Sequence, residues 1–136
     1  MNKADKLLYQ ENKAGSNLVV LFVILNMAYT IYNLRVMPVD MNVGIFVMYN
    51  IVVSLLAFLA STKMRTYNKS WGYAGLVIAV VQLFRIIRLP DVYETGFYMT
   101  LVAMIVLSAV FMIAGSLITI RRSTIKNEYE DGLNAQ

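Results

Sequence analysis

The side chains that could do chemistry in this sequence are a few polar groups set in oily surroundings: Asn26, Tyr29, Asn33, Tyr49, Asn50, Gln82 and Arg85. Amides, phenols and a guanidinium recognise by hydrogen bonding, and arginine also grips carboxylate or phosphate through its planar fork. They are poor proton carriers at neutral pH. Histidine and cysteine are both absent, which removes the usual proton shuttle, thiol nucleophiles, disulfides and the commonest zinc ligands. The carboxylates fall in loops and tails, and the serines inside apolar stretches have no base at helical spacing. Paired-acid and triad chemistry are therefore not expected, and Gly72 and Gly75 suit helix packing rather than a phosphate loop. The sequence predicts a protein that is not an enzyme and uses no cofactor or metal.

The elements that must position these residues are set by the charges. No Asp, Glu, Lys or Arg lies between Lys13 and Arg35, between Asp40 and Lys63, or between Glu94 and Arg121, and a shorter gap runs from Lys69 to Arg85. A hydrocarbon layer of about 30 Å takes roughly 20 apolar residues to cross as a helix. Four spans are predicted, at about 18–34, 43–61, 72–89 and 97–120. They form one transmembrane domain, 18–120, flanked by a polar segment, 1–17, and a tail, 121–136, expected to be mobile. Leu7 and Leu8 among charged residues suit a short helical turn on the membrane surface. The stretch 18–34 lacks a small-residue cleavage site and reads as a retained span rather than a signal peptide.

Short connections place consecutive helices antiparallel and adjacent. Lys3, Lys6, Lys13, Lys63, Arg65, Lys69, Arg121, Arg122 and Lys126 lie on one side of the spans, against Arg35, Arg85 and Arg88 on the other. That bias puts both termini in the cytoplasm. The expected fold is an all-α membrane protein, an antiparallel four-transmembrane-helix bundle in the cell membrane with N- and C-termini cytoplasmic. The basic residues beside the spans are explained by topology and anionic lipid, so no nucleic-acid partner is expected.

Small and polar residues recur at three- and four-residue spacing on each span: Asn26, Tyr29, Thr30 and Asn33; Asn50, Ser54, Ala57 and Ser61; Gly72, Gly75, Ala79 and Gln82; Ser108, Met112, Gly115 and Thr119. Such stripes mark helix–helix contact in lipid. Counted along the helices, Asn26, Asn50 and Gln82 sit roughly 10 to 12 Å below the outer surface. With Tyr29, Asn33, Tyr49 and Arg85 they would form a polar vestibule or partner contact confined to the outer half. Arg85 could instead join an outer charge network of Arg35, Asp40, Arg85, Arg88, Asp91 and Glu94.

Three functions fit. A non-catalytic accessory or scaffold subunit would bind another integral membrane protein, such as a transporter, through the small-residue faces. A homo-oligomeric small-solute transporter or channel would use the vestibule. A sensor of lipid or anionic ligand would use the outer arginines. In each case the surrounding partner is the lipid bilayer. No convincing repeat relates the two halves, which weakens the transporter reading.

Overall fold

The computed structural model describes residues 12–35, 39–87 and 95–134, and these form four α-helices: α1 (Lys13–Leu34), α2 (Met41–Arg65), α3 (Lys69–Phe84) and α4 (Thr95–Asn134). α1, α2 and α4 are long and apolar enough to cross a membrane, and α3 is a shorter apolar helix.

Local chemistry sets the ends. Asn12 caps α1, its side-chain oxygen accepting from the Gly15 amide, and Asp40 caps α2 by accepting from Val43. Both satisfy an amide that the first turn leaves without a helical partner. α2 stops in a Schellman turn: the Tyr67 amide donates to Met64 O and the Asn68 amide to Lys63 O. This turn needs a left-handed residue after the cap, normally glycine. Here it is Tyr67, with φ 59°. α3 tightens at its end, where Arg85, Ile86 and Ile87 donate to the carbonyls three residues back.

The helix ends differ from those read from charge gaps. α1 begins at Lys13 rather than 18, α2 covers 41–65 rather than 43–61, and α3 covers 69–84 rather than 72–89. α4 continues through the segment expected to be a mobile tail, reaching Asn134. A charge gap measures the apolar length of a helix, whereas capping and tertiary contacts decide where it stops. Beyond residue 120, α4 is held by Ser123 Oγ donating to Tyr67 O at 3.0 Å and by Lys126 lying 5.2 Å from the Tyr67 ring centre. The expected turn at Leu7 and Leu8 lies outside the described residues.

α1 packs against α2 and α4, and α3 packs against the same two helices. One core cluster holds Val19, Phe22, Ala57, Ala60, Met64, Ala79 and Met112. A second, toward the Arg35 end of α1, holds Tyr29, Leu101 and Ile105. The small-residue stripes line these contacts: Gly72, Gly75, Ala79, Ser108, Gly115 and Thr119 are all buried.

Candidate functional site

Arg85 follows the last residue of α3 and reaches inward rather than out toward the loops. Its Nη1 donates to Asn26 Oδ1 at 2.9 Å and to Gln82 Oε1 at 3.1 Å, and its Nη2 donates to Asn50 Oδ1 at 2.8 Å. α1, α2 and α3 thus each supply one amide oxygen. Aromatic faces complete the enclosure, with Tyr29, Tyr49 and Phe46 centred 4.5, 5.2 and 6.0 Å from the guanidinium carbon. A cation over a ring face is stabilised by the ring quadrupole, more so when water is excluded.

A second layer fixes which way each amide points. Asn26 Nδ2 donates to Ser54 Oγ at 2.9 Å, Asn50 Nδ2 to Phe46 O at 2.8 Å, and Gln82 Nε2 to Ser108 Oγ at 3.0 Å. With the nitrogens occupied behind, the oxygens are left facing the arginine. Hydrogen bonds to a charged group contribute about 1.5–3 kcal/mol each. Three of them can hold inward a side chain that would otherwise extend to the membrane surface.

The structure therefore brings Asn26, Tyr29, Tyr49, Asn50, Gln82 and Arg85 into one cluster. Asn33 is buried one turn beyond Tyr29 on the same face of α1. The outer charge network is a different matter. Arg88, Asp91 and Glu94 lie outside the described residues, Arg35 is exposed, and Asp40 is exposed and occupied in capping α2. Among the described residues no carboxylate pairs with Arg85. Arg85 lies just past the end of α3 at Phe84, and its side chain turns back over the last turn toward the amides.

The sequence reading misses a polar knot at the opposite end of the helices. Asn12 is fully buried, donating to Met64 O at 3.1 Å and Thr119 Oγ1 at 2.8 Å, while its oxygen accepts from Arg122 at 3.2 Å. Ser16 and Ser61 share a hydrogen bond of 2.8 Å beside it. An asparagine preceding a helical stretch was the available signal. Burial raises the Tyr67 phenol above its ordinary pKa, with Arg122 pulling it the other way.

Among the described residues the Arg85 cluster has the chemistry of a cation enclosure: neutral oxygens and ring faces around one positive charge. Comparison of the chain with models of known families, with curated proteins and with solved structures yields no match in any of the three.

Proposed function

We propose that this chain is a multi-pass protein of the cell membrane that serves as a non-catalytic accessory or scaffold subunit of a larger membrane assembly. In this reading all four helices cross as an antiparallel bundle, with both termini cytoplasmic, an orientation supported by the distribution of Lys and Arg. α3 is long enough when its end is counted. Its 16 residues rise about 24 Å, and three further residues bonded three back add about 6 Å.

The observation that carries the accessory role is where the contact-forming residues lie. The small-residue stripes expected to meet a partner are buried within the chain, and the polar groups of the outer cluster are bonded to one another. What remains outward is apolar, most of all on α2, the least buried of the three long helices. A shallow groove there is lined by Met41, Gly44, Ile45, Met48, Tyr49 and Val52. A Cβ added at Gly44 would meet nothing within 4 Å, so another helix could approach closely at that point. The partner surface of this proposal is therefore α2 rather than the stripes.

The test is capture from native membranes. A photoreactive residue replacing Met48 should cross-link a second, different membrane protein, and one replacing Leu117 on α4 should not. A chain that emerges from mild detergent alone, or only as copies of itself, refutes the role. Transport by a homo-oligomer is the second reading, favoured by the convergence of three helices on Arg85. It requires solute movement in liposomes that Gln82→Ala abolishes in a folded protein.

A further inference from the structure

We infer that the outer cluster is a receptor for an organic cation of the guanidinium class, and that Arg85 is its tethered occupant. Three features distinguish this enclosure from an ordinary salt-bridged arginine. First, among the described residues its ligands are Asn26 Oδ1, Asn50 Oδ1 and Gln82 Oε1, all neutral, with Tyr29 and Tyr49 rings at 4.5 and 5.2 Å. Carbonyl oxygens and ring faces recognise a positive charge without cancelling it, which suits reversible occupancy better than a buried carboxylate would. Second, the amide nitrogens are held from behind by Ser54, Phe46 O and Ser108, so the oxygens stay turned inward whoever occupies the centre. Such preorganisation lowers the cost of binding. Third, Arg85 is anchored by a turn that follows the last residue of α3. A change in a few dihedral angles there withdraws the side chain without unwinding a helix.

The oxygens lie 2.8–3.1 Å from two different guanidinium nitrogens. A flat cation carrying several N–H groups matches this layout, whereas a spherical alkali ion or a single ammonium point charge meets the oxygens less completely. This inference does not rest on the accessory role, although Tyr49 belongs to both the groove on α2 and the cluster.

The test uses the full-length chain in detergent micelles, with methylguanidinium as the probe. In Arg85→Ala the enclosure is vacated. Methylguanidinium should then raise the melting temperature saturably in the millimolar range, with urea, its neutral counterpart, weaker by about tenfold or more. Adding Asn50→Leu should remove the response. In the unsubstituted protein bearing isotope-labelled arginine, the Arg85 Nε–H resonance, assigned by its loss in Arg85→Lys, should move as methylguanidinium is added. An arginine that only braces the fold would not be displaced. If Arg85→Ala does not fold unaided, recovery of monodisperse protein prepared with methylguanidinium but not with urea is the supporting result. Equal effects of urea and methylguanidinium, no recovery with either, or an Arg85 resonance that stays fixed each overturn the proposal.

Discussion

Replacing Gly115 with alanine measures how much of the fold rests on the close approach of α4 to α1. A Cβ built there lies 2.8 Å from the backbone oxygen of Gly15, 3.0 Å from Val19 Cγ2 and 3.2 Å from Leu18 Cβ. A flexible side chain could turn aside, but a carbonyl within a helix cannot, so α1 must back away by several tenths of an ångström. That movement loosens Val19, Phe22 and Met112 and stretches the 2.8 Å bond from Asn12 to Thr119. Overpacking costs about 1–3 kcal/mol, and an interhelical hydrogen bond in a membrane about 0.6–1.7 kcal/mol. The sum, about 1.6–4.7 kcal/mol, corresponds to a shift of about fifteen- to two-thousand-fold in the unfolding equilibrium. Reversible unfolding in mixed micelles can be followed by fluorescence of Trp71, which packs against the same core. Gly44→Ala is the control, since its new methyl meets nothing and alanine is the better helix former. A Gly115→Ala protein within about 0.5 kcal/mol of the parent, or an equal loss in Gly44→Ala, refutes the close-approach reasoning.

Other perturbations separate the remaining contributions. At Tyr67, alanine and glycine both remove the ring, but only glycine is at ease at φ 59°; Tyr67→Gly should be more stable than Tyr67→Ala by about 1 kcal/mol in the same unfolding assay, and equal values would show that the turn carries no strain. Ser116→Ala should stabilise the protein by about 1 kcal/mol, because the buried Ser116 hydroxyl has no partner among the described residues; a loss of stability would reveal one. The absence of cysteine makes topology directly measurable: with impermeant maleimide on intact cells, Asn42→Cys should label while Thr66→Cys and Gly132→Cys stay protected. Labelling of Thr66→Cys in intact cells would break the proposed arrangement.

Much of the contact pattern was legible from residue types alone. Asn26, Asn50, Gly75, Gln82, Gly115 and Thr119 were singled out by helical spacing, and all are buried, because in lipid close approach and hydrogen bonds replace hydrophobicity as the sorting force. Which of two settings holds Arg85 was less legible. Spacing placed it both with Asn26, Asn50 and Gln82 and in an outer charge network; among the described residues its guanidinium meets the amides, because the end of α3 aims it there, and a helix end is set by local bonding that composition does not encode. Asn12 was hidden for a related reason. It sits in a polar segment that reads as solvated, and its burial depends on Thr119 and Arg122, which no local window contains.

The tie at Asn12 also has consequences for biogenesis. Its bonds to Thr119 and Arg122 join residues 107 and 110 positions apart, so the first helix leaves the ribosome long before its fastening exists. During synthesis Asn12 can meet Met64 once the second helix has inserted, but the knot closes only when the last helix arrives. A nascent chain stalled before that stage would present at the membrane face an asparagine still lacking its Thr119 and Arg122 partners, a mark by which proteases could tell unfinished copies from completed ones.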